Sequence, residues 1–300
     1  MEKMKKLATL LLALAMCLAL AACGGESAAE TEETGTDAAS GTEESADDGA
    51  DAAETEETDT GDAAAESDLA YVQDKGTLVV GITEFEPLDY QSETGEWIGF
   101  DAEMATGFAQ SLGVEVQFQL IDWDNKIMEL DGGTIDCVWN GMTLTDEVLS
   151  AMECSAPYLN NAQVVILPAD VAADYDSVES LADLTFAVES GSAGQEQAEA
   201  NGFTYTEVMD QATALLEVSS GTADAAIIDS LMAAAMVGEG TSYEGLTYTI
   251  SLNSEEYGVG FRKGSDLAAA LDEYLDSAYA DGTMQAIAEE YGVDAALIAR

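Results

Sequence analysis

The 300-residue chain contains no histidine and only eight Lys and Arg against 60 Asp and Glu. Without imidazole there is no Ser-His-Asp or Cys-His nucleophile pair, no histidine metal site, and not the commonest general base near neutral pH. A formal charge of −52 excludes a nucleic-acid surface, because phosphate neutralisation needs clustered Lys and Arg. A long apolar run is missing too: residues 7–22 give 16 uncharged positions, short of the ~20 of a comfortable membrane span. The four cysteines have neither CxxC nor zinc spacing. What is present is apolar mass, 47% of the residues, enough for a substantial core.

Charge divides the chain into three parts, with net +2 over residues 1–23, −17 over 24–68 and −37 over 69–300. The first has a basic start (Lys3, Lys5, Lys6), then the apolar run, then Leu20-Ala21-Ala22-Cys23. That order suits a secretory signal, and its end resembles the lipobox of bacterial lipoproteins. The resemblance implies a diacylglycerol on Cys23, where two acyl chains at ~0.8 kcal/mol per CH₂ anchor firmly and one does not. The plainer alternative is a cleaved signal with Cys23 incidental. Residues 24–68 have no aromatic, Val or Ile, cannot offset their ordering entropy, and are expected to be a disordered acidic tether. Calcium binding there is the alternative. Export leaves Cys137 and Cys154 as one disulfide or two buried thiols.

From Tyr71 short apolar strands alternate with amphipathic helices. Strands are predicted over 77–82, 114–120, 135–139, 163–167, 185–188, 203–208 and 225–229. Helices are predicted after Asp101 as a cap, over 124–130, after Ser192 and Asp210, and over 265–280 and 283–291. Two such series predict two lobes of open parallel sheet, with a ligand beyond the strands' carboxyl ends.

Gly76-Thr-Leu-Val-Val-Gly81, Gly99-Phe-Asp101, Gly132-Gly-Thr-Ile-Asp136, Asn140-Gly-Met-Thr-Leu-Thr145, Ser155-Ala-Pro-Tyr158, Gly191-Ser192, Gly221-Thr-Ala-Asp224 and Gly258-Val-Gly-Phe-Arg-Lys263 follow one another in a specific order. Together they resemble the family 3 extracellular solute-binding proteins, receptors of ABC importers for polar amino acids. The resemblance implies a type II periplasmic-binding-protein-like α/β fold, each lobe a mostly parallel sheet flanked by helices. Two crossover strands would join lobe 1 (69–160 plus 253–300) to lobe 2 (161–252). It further implies a monomeric, lipid-anchored, extracytoplasmic receptor that passes an amino acid or related amine to permease subunits, with no cofactor and no metal.

By the same resemblance Asp229 holds a ligand ammonium; capping the next helix is the alternative. Gly191, Ser192 and Ala193 would receive a carboxylate at a helix start, or merely cap it. Phe85 and Trp123 would be cleft walls or core, and Trp139 floor or core. Asn140, Gly141 and Thr143 fall in a loop that offers polar contacts, and Thr145 caps the following helix. An arginine clamp for the carboxylate is expected at position 148, where valine stands. Either the carboxylate rests on the helix start alone or the ligand lacks it. A cationic ligand would also suit Glu86, Asp89, Asp124 and Asp229 if these face the cleft. Asp122-Trp-Asp124-Asn begins like an EF-hand loop, but Lys126 and Ile127 break it. The pair Glu255-Glu256 reads as solvated surface. The competing functions are a sensor or accessory lipoprotein and a dehydratase-like enzyme on the same fold.

Overall fold

The computed structural model describes residues 67–300. The expected signal segment, Cys23 and the expected tether up to residue 66 lie outside the described residues. Order begins earlier than the tether reading allowed: Ser67 caps helix α1 (Asp68–Lys75) by accepting from the Ala70 amide. Asp68 is also paired with Arg262 at 3.1 Å.

Next come β1 (Thr77–Ile82), the short β2 (Tyr90–Gln91) and β3 (Trp97–Ile98), α2 (Phe100–Leu112) and β4 (Glu115–Leu120). A 3₁₀ turn, Trp123–Asn125, leads into α3 (Lys126–Asp131), β5 (Cys137–Thr143), α4 (Asp146–Ala151), β6 (Glu153–Cys154) and β7 (Leu159–Asn161). The first large sheet has the order β4-β1-β5 with parallel pairing. Its face toward α2 is filled by Leu78, Val80, Ile82, Phe108 and Trp139, and its other face by Ile135, Val138, Met142 and Met152.

The chain then crosses into β8 (Gln163–Pro168), β9 (Thr185–Glu189), α5 (Ala193–Asn201), β10 (Thr204–Val208), α6 (Gln211–Ser220), β11 (Ala225–Asp229), α7 (Ser230–Met236) and β12 (Leu246–Ser251). These form a second sheet, β10-β9-β11-β8-β12. Strict alternation divides β8, with Val164 and Ile166 on the face covered by α6, and Val165 and Leu167 on the face carrying stacked Phe186 and Phe203. β13 (Glu255–Phe261) returns to the first sheet beside β5, and α8 (Leu267–Asp281) and α9 (Thr283–Glu290) pack back on α2.

The two-lobed α/β architecture is as expected, but the sheets are mixed. Each has a parallel core of three strands beside one reversed strand, the strand in which the chain enters from a crossing: β8 in one sheet, with β12 antiparallel to it, and β13 in the other, with β6 and β7 antiparallel to it. A chain that enters a sheet from the neighbouring lobe arrives from the ligand end, so its direction is opposite to β1, β5, β9 and β11. The two crossings are adjacent: the Gln163 amide donates to Asn253 Oδ1, and the Leu252 amide to Gln163 O.

Two local expectations change, and the open choice between a disulfide and two thiols is decided. Strand β5 runs on to Thr143, so Asn140 and Gly141 are strand residues, because Gly258 and Tyr257 of β13 pair with Met142 and Thr143. Asp101 does not cap α2; Gly99 occupies the cap position, and Asp101 is buried one residue inside the helix. Cys137 and Cys154 are free thiols. Strand β13 lies between them, and two strand spacings of ~4.8 Å exceed the ~7 Å a disulfide spans.

Candidate ligand-binding site

The carboxyl ends of β5, β9 and β11 converge with the starts of α3, α4 and α5 on one cavity between the two sheets. Counting its open mouth, its empty space is about 450 Å³. Asp229 ends β11 and is buried. Its side chain does not cap α7. Instead Oδ1 accepts from Asn161 Nδ2, from Gln163 Nε2 at 2.8 Å and from Tyr257 OH at 2.6 Å, while Oδ2 accepts from Gln211 Nε2. Burial, with Glu255 nearby, pushes its carboxyl up to about 7 against these donors.

Glu189 ends β9 and is 3% exposed. Its Oε2 has one long contact, 3.5 Å from Gln211 Nε2, and its Oε1 has no partner. Burial first, then the Asp229 charge, push it up to about 8. Of the two buried carboxylates, then, Asp229 is saturated by protein donors and Glu189 is open. This acid, two residues before Gly191, was the available sequence signal; the predicted strand ends at Val188 and leaves it out.

The aromatic residues divide. Phe85 and Trp123 both line the cavity although they are only 2% and 7% exposed. Phe85 stands edge-on to Tyr257, so each is a wall and part of the core at once. Trp139 is core, packed against Phe108 and Tyr158 away from the cavity.

Asn140, Gly141 and Thr143 border the cavity, but their polar groups are spent inside the protein. Asn140 Oδ1 accepts from the Thr83 amide and hydroxyl, and its Nδ2 donates to Thr83 O and Asp89 Oδ2. The Gly141 amide donates to Asp101 Oδ2 at 2.7 Å, and Tyr158 OH donates to the same carboxylate. Burial lifts Asp101 to about 6 despite these donors. Thr143 Oγ1 donates to Glu255 Oε1. Glu255 is therefore no surface acid: it also accepts from Asn161, Gln163 and Asn253, which belong to the two crossings.

At the turn before α5, the Ser192 hydroxyl accepts from the Gln195 amide, the Gly191 amide donates to Gln195 Oε1, and Gly191 O accepts from Lys126 Nζ at 2.8 Å. Ala193 borders the cavity beside them. Gly191 has φ +70°, and a Cβ there would lie 2.7 Å from Asp124 Cα, so the lobes approach to backbone contact at this point. Thr145 caps α4 through the Val148 amide, and Val148 lines the cavity at 3% exposure. Of the acids proposed for a cationic ligand, Glu86, Asp89 and Asp124 do not line the cavity, whereas Glu147 and Glu196 do. Lys126, read from sequence only as breaking an EF-hand, is the one basic residue of the lining.

Residues 78–294 match the family described as bacterial extracellular solute-binding proteins, family 3. The L-cystine-binding protein TcyJ of Escherichia coli K12 is 29% identical over 236 residues, covering 77% of this chain and 88% of its own. An ABC uptake transporter substrate-binding protein from Streptococcus pneumoniae, solved with bound histidine, superposes with a TM-score of 0.70 at 28% identity, covering 77% of this chain and 98% of that one. The ancestral amino-acid-binding protein AncCDT-1, a precursor of cyclohexadienyl dehydratase, does so with 0.69 at 30% identity, covering 75% and 99%. The matched stretch takes in both large sheets, both crossings and every residue of the cavity. The chain belongs to the family 3 bacterial extracellular solute-binding proteins.

Proposed function

We propose that the protein is the extracytoplasmic, substrate-binding lipoprotein of an ABC importer, monomeric and anchored through Cys23, with residues 24–66 as its tether. It captures an amino acid or related amine-bearing solute between its lobes and hands it to a membrane permease without turnover. The observation that carries this reading is the pair of buried carboxylates, Glu189 and Asp229, at strand ends beside the Phe85 and Trp123 walls. An ammonium placed there gains charge-assisted contacts in a site with little water. Glu189 Oε1 takes the ammonium directly and Asp229 supports it from its cage of amide donors. The start of α5, at Gly191, Ser192 and Ala193, presents the positive end of a helix to the other pole of the solute.

The test is titration calorimetry with L-cystine, L-histidine and L-arginine, followed by mass spectrometry of the recovered solute. Saturable binding with the solute returned unchanged is expected. A mass change would make it an enzyme, and no binding of any amine would sink the reading. Fatty-acid labelling of wild type and Cys23→Ala checks the anchor separately; equal label in both would remove it.

A further inference from the structure

Lys126 opens α3, is 6% exposed and lines the cavity. Two of its three protons have acceptors, Gly191 O at 2.8 Å and Trp123 O at 3.4 Å. Its charge lies 5.1 Å from the centre of the Trp123 ring. Glu147, Glu189, Asp124 and Glu196 all attract it, yet among the described residues no salt bridge within 4.0 Å includes it. A buried ammonium without a bonded counter-ion is costly to maintain. The same cavity holds the opposite defect, the unpartnered Glu189 Oε1. One open ammonium and one open carboxyl in a single cavity complement a zwitterion.

We propose that Lys126 receives the carboxylate of the captured solute, in the role for which position 148 offers only valine. This rests on the solute-binding reading above. It adds that the solute retains a carboxylate and that the clamp has moved from α4 to the first residue of α3. A single ammonium gives a point contact where an arginine would give a bidentate one. The Gly191 carbonyl and the Trp123 ring hold that ammonium in place from opposite lobes.

The experiment uses the full chain in mild detergent, with each amino acid paired to the amine that lacks its carboxylate: L-arginine with agmatine, L-histidine with histamine, L-cystine with cystamine. Lys126→Met keeps the side-chain volume and removes the charge; thermal melting checks that it folds. Loss of roughly 10- to 100-fold in affinity for the amino acid is expected, with the matching amine within about twofold of wild type. Adding Val148→Arg to Lys126→Met should restore most of the amino-acid affinity and leave that for the amine unchanged. Equal weakening of both partners would mean that Lys126 only fastens the lobes through Gly191, and would overturn the proposal. So would an unchanged amino-acid affinity, or wild type binding amines but no amino acids; in that last case the solute-binding reading stands. Wild type binding none of the six would overturn both.

Discussion

Replacing Glu189 by glutamine should stabilise the unliganded protein above neutral pH and flatten its pH dependence. Glu189 is fully enclosed at the end of β9, and its carboxyl, normally near 4.5, is pushed up to about 8 by burial and by Asp229. Between those two values the folded chain keeps the proton and the unfolded chain has lost it. The folded state binds more protons there, so stability falls as pH rises through the window, by about 1.4 kcal/mol per pH unit for one group. From about pH 5.5 to 8 this amounts to roughly 3 kcal/mol from Glu189 alone. For a domain of this size that is about 6–12 °C in melting temperature. Glutamine has nearly the same shape, keeps an acceptor for Gln211 Nε2, and does not titrate. The assay is thermal or urea unfolding of wild type and Glu189→Gln across that range without added solute. The variant should be the more stable at pH 8 and the two should converge near pH 5. Parallel curves would refute the reasoning, because Glu189 would then titrate alike in both states.

The same two carboxyls should make amine binding proton-linked. With Asp229 raised to about 7 and Glu189 to about 8, affinity should tighten between pH 6 and 8 by up to about tenfold per unit for each proton released; calorimetry in buffers of different ionisation enthalpy reads the release, and a flat profile counts against it. Gly141→Ala should cost about 2–4 kcal/mol in urea unfolding, from a left-handed backbone and overpacking. Gly141 has φ +56°, and a Cβ there would lie 2.7 Å from Phe85 Cε1 and 2.8 Å from Leu88 Cδ1; a cost below about 1 kcal/mol would mean that this wall yields. Asp101→Ala should cost about 3–5 kcal/mol by orphaning the buried Gly141 amide and Tyr158 hydroxyl; amide exchange at Gly141 should accelerate with it, and unchanged exchange would point to a replacement acceptor.

What was legible in the sequence was local. Ser192, Asp210 and Thr145 each stand just before a helical stretch, and each caps it with its own hydroxyl or carboxylate. The apolar runs of β1, β8 and β11 announce strands because both faces of their sheets are covered. Asp101 follows the same capping pattern and misleads, because its acceptor oxygens serve Gly141 and Tyr158, 40 and 57 residues away. Glu255 misleads for a similar reason: beside exposed Glu256 it looks like surface, but its partners lie on the other crossing. The resemblance puts Asn140, Gly141 and Thr143 in a loop and ends the strand at Trp139, whereas pairing to β13 carries β5 through them. At the site, strand ends gave Asp229 and the start of α5. Glu189 had only its position at a strand end to mark it, and Lys126 was hidden, because an unpaired charge is a property of three-dimensional surroundings.

The amides of Asn161 and Gln163 each bond to two carboxylates at once, Asp229 on the cavity side and Glu255 between the crossings. These side chains sit where the chain passes from one sheet to the other, so the crossings and the base of the cavity share one set of protons. Bending the crossings redistributes those donors between two anions that repel each other, and the division changes with the charge on Asp229. Charge at the site thereby reaches the crossings: a cation arriving beside Asp229 weakens the claim of that carboxylate on amide protons that Glu255 also holds.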